Sequence, residues 1–200
     1  MHARTPLAAA LTSIPITSAL VWVTSTAVQA EPVSYVVDPK HTYASFEIDH
    51  LGLSTARGTF DRTSGNIVLD PDLGSGFIEI VINTASIDTG LAKRDEHLRA
   101  ADFFNVQRYP TMIFVAESLQ FDGQHLVSAD GQLTMLGKTL PVSLRVTRFA
   151  CGQHPIHDKP VCGADAETVI RRSDWGMTTY VPTIGDEVTI RIGIEAFRIP

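Results

Sequence analysis

The sequence is poor in cysteine and in positive charge, and each shortage removes a class of function. Its 200 residues include two cysteines, and 16 Lys and Arg stand against 22 Asp and Glu. A disulfide-rich scaffold is excluded, because such scaffolds need several cysteine pairs. Nucleic acids and anionic membrane surfaces are disfavoured as partners, because both require clustered cations.

Catalytic motifs are also missing. The chain contains neither a Gly-x-Ser-x-Gly nucleophile elbow nor a His-Glu-x-x-His zinc motif. His97 lies two residues from Asp95, and Ser173 precedes Asp174, but closeness in sequence does not establish the geometry of a catalytic triad. We therefore expect a non-catalytic protein with no cofactor and no metal.

The first thirty residues contain no apolar run long enough to span a bilayer. Thr, Ser and Pro interrupt the apolar stretch at 7–28, which argues against a retained membrane anchor. Val28-Gln29-Ala30 supplies the small-x-small pattern that a signal peptidase accepts. The sequence predicts a secretory signal at 1–30, cleaved near Ala30, and one periplasmic domain at 31–200.

Cleavage makes the net charge more negative. Loss of Arg4 leaves 15 Lys and Arg against 22 Asp and Glu, a net charge of −7. We expect no nucleic-acid partner and no stable membrane insertion of the mature chain, and an uncharged or apolar partner fits this composition better. The sequence leaves a homodimer open.

Period-two alternation dominates the mature sequence. Near the C-terminus Val188, Ile190 and Ile192 alternate with polar neighbours, as in a strand with one buried face. The same pattern predicts strands at 42–50, 56–60, 65–70, 76–83, 111–119, 126–135, 139–149, 167–172 and 188–197. Short turn sequences between them imply antiparallel neighbours.

One segment breaks this pattern. Residues 91–104 collect strong helix formers without Gly or Pro, and Tyr109-Pro110 then returns the chain to an extended conformation. About eight or nine strands with one helix can form a sandwich or an up-and-down barrel. The faces opposite the apolar stripes carry charges such as Glu47 and Arg191, whereas a transmembrane barrel needs an apolar outer face. A water-soluble barrel is favoured.

The apolar stripes leave one question open. Their residues point inwards by parity, yet side chains that line a cavity and side chains that fill a core show the same period. These residues are Phe46, Ile48, Phe60, Ile78, Ile80, Ile82, Phe114, Leu133, Val142, Leu144, Ile190, Ile192 and Ile194.

A set of short motifs runs along the whole mature chain in a fixed order. They are Asp38-Pro39-x-His41, Phe46-x-Ile48-x-His50-Leu51-Gly52, Gly58-x-Phe60, Arg94-Asp95-x-His97-Leu98, Asp102-Phe103-Phe104, Tyr109-Pro110-x-x-x-Phe114, Gly131-x-Leu133-x-x-x-Gly137, Arg172-Ser173-Asp174-Trp175-Gly176-Met177 and Gly185-Asp186-x-Val188. Together they resemble the YceI-like family of exported, lipocalin-like proteins that bind polyisoprenoids and related long-chain lipids. The resemblance implies an all-β fold: an extended eight-stranded antiparallel barrel with an inserted helix near residues 91–104, enclosing a long apolar tunnel.

The resemblance gives these residues candidate roles. The expected contacts to the lipid tail are Phe46, Ile48, Phe60, Ile80, Leu98, Phe103, Phe104, Phe114, Leu133, Leu144, Trp175, Met177 and Ile192. The expected polar residues at the headgroup or rim are Arg94, Asp95, His97, Arg172 and Asp174. The alternative for Arg94, Asp95 and His97 is structural, because such side chains can also cap the helix and fix it against the barrel. The alternative for Arg172 and Asp174 is a strand end with its turn.

The segment between Phe149 and Ala164 departs from the family pattern and carries both cysteines. Cys151, His154, His157 and Cys162 have a spacing that could supply four metal ligands. In an oxidising compartment two cysteines usually pair, so a Cys151–Cys162 disulfide is the expectation, with a metal site and free thiols as alternatives.

The expected function is non-catalytic binding, transport or storage of one long-chain apolar lipid, a polyisoprenoid or an isoprenoid quinone, in the barrel tunnel. One alternative is a stress-related protein-interaction module whose barrel is filled. Another is an enzyme that acts on the bound lipid.

Overall fold

The computed structural model describes residues 31–200, and the predicted signal sequence at 1–30 lies outside them. Antiparallel strands dominate this region. The strands are β1 (Val33–Val37), β2 (Tyr43–His50), β3 (Ser54–Phe60), β4 (Thr63–Asp70), β5 (Ser75–Asn83), β6 (Ile87–Asp88), β7 (Thr111–Asp122), β8 (His125–Met135), β9 (Lys138–Gln153), β10 (Pro160–Arg171) and β11 (Ile184–Arg198). The helix α1 spans Ala92–Arg99, and 3-10 turns occupy Thr84–Ser86 and Arg172–Trp175. No helix within 31–200 is long and apolar enough to cross a membrane.

Eight of the strands close into a ring. The hydrogen-bonded order is β1-β4-β5-β7-β8-β9-β10-β11, and β1 closes the ring by pairing with β11 as well as with β4. Every pairing is antiparallel, so the predicted eight-stranded antiparallel barrel is confirmed. Closure removes the unpaired edges that an open sheet of this size would expose.

The last strand, β11, changes partner along its length. Its end pairs with β1 at Ala196–Arg198, whereas its beginning pairs with β2 from Ile184 to Gly193. The hairpin of β2 and β3 therefore replaces β1 in the wall at that end of the barrel. We call this end the mouth and the opposite end, where the β4–β5, β7–β8 and β9–β10 turns lie, the closed end.

The inserted segment completes the wall at the mouth. β6 pairs with the end of β3, with Phe60 opposite Ile87. The backbone N–H and the hydroxyl of Thr84 donate hydrogen bonds of 3.0 and 2.8 Å to the carbonyls of Pro110 and Tyr109, directly before β7. The turn, β6 and α1 thus bridge the gap between β3 and β7 that the sheet leaves open.

The interior is divided into a filled half and a lined half. At the closed end the small side chains of Ala116, Ala129 and Ala196 are almost fully buried, and Leu69 and Leu119 pack among them. Towards the mouth, larger apolar side chains face a cavity. Inward-facing side chains therefore fill the core at the closed end and line a cavity near the mouth.

Several elements differ from the sequence prediction. β6 was not predicted, and β10 begins at Pro160, whereas the prediction began at 167. β1 was not predicted, because its five residues, VSYVV, do not alternate between apolar and polar. The predicted helix at 91–104 ends at Arg99, since Ala100 has an extended ψ of 172° and residues 101–104 form turns. The helix itself is present where it was expected.

The cysteine-bearing segment forms an extension of the β9–β10 hairpin. Cys151 and Cys162 lie directly opposite each other in the register, and their sulfurs form a disulfide. The predicted disulfide is confirmed. The alternative metal site required the thiolates of Cys151 and Cys162 together with His154 and His157. Both sulfurs are in the disulfide, so that set of four ligands is not present.

This disulfide is expected to affect stability without affecting the mouth. Reduction should lower the free energy of unfolding by about 3 kcal/mol, because the open chain gains entropy in the unfolded state. Retention of the lipid that the sequence leads us to expect should be unchanged, since the bridge lies at the closed end. Chemical denaturation with and without reductant tests the first statement, and extraction of bound ligand tests the second. A large loss of ligand on reduction would contradict this separation.

Candidate binding cavity

The mouth half of the barrel encloses a cavity of about 340 Å³. Its wall extends along β11 from Ile184 to Ile192, roughly 25 Å of strand at about 3.3 Å per residue. Among the described residues that line it, none is an aspartate or a glutamate. Such a mainly apolar, concave site suits a small apolar molecule.

Most residues expected to contact the ligand do line this cavity. They are Phe46, Ile48, Phe60, Ile80, Leu98, Phe103, Phe104, Phe114, Leu133, Leu144, Met177 and Ile192. Trp175 is the exception: it is buried in the core cluster and is not part of the lining, and its indole N–H donates a hydrogen bond of 3.2 Å to the carbonyl of Leu133. Trp175 therefore lies behind the residues that line the cavity.

Several lining residues were not among the expected contacts. They include Met112, Met135, Ile170, Tyr180, Ile184, Val188 and Ile190. Met112 shares the face of Phe114 on β7, so parity alone could have identified it. Tyr180 lies in an irregular loop, where no periodic signal exists.

Two aromatic clusters shape the cavity. In the inner cluster, Phe60 lies between Phe46 and Phe104, with ring centroids 5.9 and 5.4 Å away. In the second cluster, at the mouth, the ring of Phe103 lies 5.0 Å from His97 and 6.2 Å from Tyr180. The residues after α1 therefore bring one phenylalanine to each cluster.

Charged side chains tie α1 to the segment before it. Asp95 is buried and accepts hydrogen bonds from the backbone N–H and the hydroxyl of Thr89, at 2.9 and 2.5 Å. Arg94 donates to the Thr89 hydroxyl and carbonyl, and Arg99 donates to the carbonyls of Ala85 and Ile87. Asp95 does not line the cavity, whereas Arg94 does. The geometry gives Asp95 the structural role that the sequence left as an alternative.

His97 combines two settings. Its ring lines the cavity between Phe103 and Tyr180, and its Nε2 lies 3.3 Å from Oδ2 of Asp102. About half of each of these two polar side chains is exposed. His97 thus lies where the cavity meets the solvent.

Arg172 is a buried guanidinium that organises the mouth. It is 3% exposed, and it donates from Nε to the carbonyl of Gly185 at 2.8 Å, from Nη1 to Met177 at 3.1 Å and from Nη2 to Ile184 at 3.1 Å. These carbonyls frame the loop between the 3-10 turn and β11. Burial lowers the pKa of the Arg172 guanidinium from its ordinary value, and nearby Asp186 opposes that shift.

Asp174, the last of the expected rim residues, lies outside the lining. Its side chain is exposed, and its backbone carbonyl accepts a hydrogen bond of 3.1 Å from Nζ of Lys138. Of the five polar candidates, the cavity therefore brings together Arg94, His97 and Arg172. Within residues 31–200 no three His, Cys, Asp or Glu side chains are grouped as ligands for a metal ion.

A carboxylate on β11 holds the turn that carries Arg172. Asp186 accepts hydrogen bonds from the backbone N–H and the hydroxyl of Ser173, at 2.9 and 2.7 Å. These two bonds hold the pKa of the Asp186 carboxyl below its ordinary value. The hydrogen bonds of Ser173 thus favour the ionised carboxylate in the folded protein.

Stability is expected to fall as the pH drops below about 4, near the ordinary pKa of an aspartate. Because the pKa of Asp186 is lower in the folded state, its stabilising contribution is present above that pH and is lost as the pH falls through the folded value. Thermal unfolding between pH 7 and pH 3 tests this. Asp186→Asn should be less stable at neutral pH and should show a shallower decline in acid; an equally steep decline would exclude Asp186 as a source.

Comparison with known proteins identifies relatives over most of the chain. The family profile described as YceI-like domain matches residues 35–196. Protein YceI of Salmonella arizonae is 35% identical over 184 residues, which cover 90% of this chain and 94% of that protein.

Two solved structures have the same fold. The YCEI protein of Campylobacter jejuni is 26% identical, with a TM-score of 0.65, over 76% of this chain and 91% of that one. A polyisoprenoid binding domain from Saccharophagus degradans, implicated in plant cell wall breakdown, is 16% identical, with a TM-score of 0.61, over 84% of this chain and 99% of that one. The second likeness concerns the fold alone.

Proposed function

We propose, since this chain belongs to the YceI-like family, that it is a non-catalytic carrier or store for one long-chain apolar lipid. The lipid is a polyisoprenoid or an isoprenoid quinone, and the protein acts in the periplasm after export. The ligand-binding property named for the Saccharophagus degradans domain agrees with this proposal.

The cavity is the observation that carries the proposal. Its wall is built mainly from aliphatic and aromatic side chains, and no carboxylate among the described residues lines it. Each methylene group that leaves water for such an environment contributes roughly 0.8 kcal/mol. An extended hydrocarbon tail can therefore offset the entropy that is lost when the protein orders it. A completely filled barrel, as the protein-interaction alternative requires, does not agree with this cavity.

The polar groups give the ligand an orientation. Arg94 and His97 line the cavity on α1, beside the mouth cluster, while the inner cluster of Phe46, Phe60 and Phe104 is apolar. An oxygen-bearing headgroup at the mouth would meet hydrogen-bond donors, and the tail would lie against the inner rings. This arrangement resembles other small-molecule sites, in which a few polar groups fix an apolar ligand.

Extraction of bound lipid is the direct experiment. The purified protein is analysed by native mass spectrometry and by organic extraction, and the lipid-free protein is then offered polyprenols and quinones. We expect one lipid per chain. Recovery of no lipid, together with failure to bind either added class, would overturn the proposal.

A further inference from the structure

The turn between β2 and β3 presents leucines at the mouth. The backbone N–H of Leu53 donates to the carbonyl of His50 at 3.1 Å, and Leu51 and Gly52 have φ angles of 65° and 67°. Two consecutive left-handed residues are typical of the type I′ hairpin turn, which favours Asn and Gly. Leucine at the first of these positions is therefore unusual.

The conformation of Leu51 and the exposure of both Leu51 and Leu53 are energetically unfavourable. The left-handed backbone of Leu51 is strained, because its Cβ approaches the following carbonyl oxygen. Leu51 and Leu53 are also 48% and 83% exposed, so their apolar surfaces remain in water. Strain and exposure at one site point to a function outside the folding of the domain itself.

A second loop beside this turn has the same character. Tyr180 has a φ angle of 63° and is 57% exposed. The two loops are joined, since the backbone N–H of Leu51 donates to the carbonyl of Thr183 at 3.1 Å. Both are continuous with the cavity, because His50, Tyr180 and Ile184 belong to its lining.

These two loops also lack ionised side chains. Residues 50–56, HLGLSTA, and residues 175–185, WGMTTYVPTIG, contain no Asp, Glu, Lys or Arg, although the whole chain is 19% charged. An uncharged apolar surface gains free energy by leaving water and does not depend on charges of one sign in its partner. That combination fits the interfacial zone of a lipid bilayer.

We propose that Leu51, Leu53 and Tyr180 form a docking collar that inserts into the surface of a lipid bilayer, so that a lipid passes between bilayer and cavity without crossing water. The inference rests on the proposed function for its ligand, since a long-chain lipid resides in a bilayer before the protein takes it up. The continuity of the collar with the cavity lining favours a bilayer over a protein partner. The bilayer is touched by the collar alone and is not spanned.

The test compares two variants in which exposed apolar residues are replaced at opposite ends of the barrel. Leu51→Asn combined with Leu53→Ser removes the two leucines of the collar, and Asn tolerates the left-handed backbone. Ile156→Ser is the control, because Ile156 is 82% exposed but lies in the β9–β10 turn at the closed end. Circular dichroism establishes that both variants are folded.

Two measurements are made on each protein. The first is flotation with vesicles of phosphatidylcholine, with and without phosphatidylglycerol and at low and high salt. The second is the rate at which a fluorescent polyprenol analogue moves between donor and acceptor vesicles. We expect wild-type binding to be insensitive to salt and to phosphatidylglycerol. The collar variant should bind about tenfold more weakly for each leucine replaced, and transfer should slow with it, while the control behaves as wild type.

Several outcomes would overturn the proposal that the collar inserts into a bilayer. Unchanged vesicle binding and transfer in the double variant would do so, and so would binding that requires phosphatidylglycerol. A wild-type dimer in sedimentation that becomes monomeric in the double variant, with no vesicle binding by either, would assign the surface to a second copy of the chain. Failure of the proposed function is distinguishable, because it appears as the absence of extractable lipid together with failure of the wild type to bind added polyprenols or quinones, whatever the vesicle result.

Discussion

Replacing Arg172 with methionine is expected to lower the free energy of unfolding by about 3–5 kcal/mol, with a fall of roughly 10 °C in the melting temperature. The guanidinium supplies hydrogen bonds to the carbonyls of Met177, Ile184 and Gly185 from one buried side chain. Methionine fills a similar volume without a donor, so these carbonyls lose their partner. Buried acceptors without partners are costly.

The neighbouring arginine provides a matched control. Arg171 is exposed at the end of β10, so Arg171→Met should change stability by less than about 0.5 kcal/mol. Arg172→Lys should resemble the methionine variant, because one ammonium group does not reproduce the fork of a guanidinium. Chemical denaturation of the three variants measures these differences. Equal stabilities for Arg171→Met and Arg172→Met would show that the three carbonyls find other donors.

Val188→Trp is expected to abolish lipid retention while leaving the ligand-free protein at least as stable as the wild type. Val188 lines the cavity, opposite Ile170 in the register of β10 and β11. An indole at this position occupies space that the ligand would otherwise fill, and filling an apolar cavity restores contacts that its wall lacks. The variant therefore distinguishes the effect of the cavity volume on lipid retention from any effect on the stability of the barrel.

Val169→Trp is the control for this variant. Val169 is 58% exposed on β10, adjacent to Ile170 but on the outer face of the same wall. The substitution is the same and lies at nearly the same height of the barrel. Because the new indole lies outside the cavity, the Val169→Trp variant should retain lipid as the wild type does. Extraction and quantification of bound lipid decide the result. Equal retention by the two tryptophan variants would place the lipid outside the cavity.

Sequence periodicity predicted most of the barrel because each long strand has one wet and one dry face. The alternation of Val188, Ile190 and Ile192 defined β11, and the cluster of helix formers located α1. The same signal failed for β1, whose five residues do not alternate. The identities of twelve lining residues followed from parity and family resemblance.

The depth of the cavity and the role of Arg172 could not be predicted in the same way. Ile192 and Ile194 have the same parity on β11, yet Ile192 lines the cavity and Ile194 packs against the filled core. Their difference depends on what the opposite side of the barrel places at each height. The partners of Arg172 are backbone carbonyls, and these carry no signature in the amino-acid sequence.

The filled closed end has a consequence for selectivity. Ala44, Phe60 and Ile192 form the deepest level of the lining, and Ala116 and Ala129 close the space beneath it. This packed floor sets an upper limit on the length of tail that the barrel can enclose. For the lipid proposed above, a tail longer than this limit would leave its remainder outside the mouth, so we expect binding to depend on the carbon number of the tail.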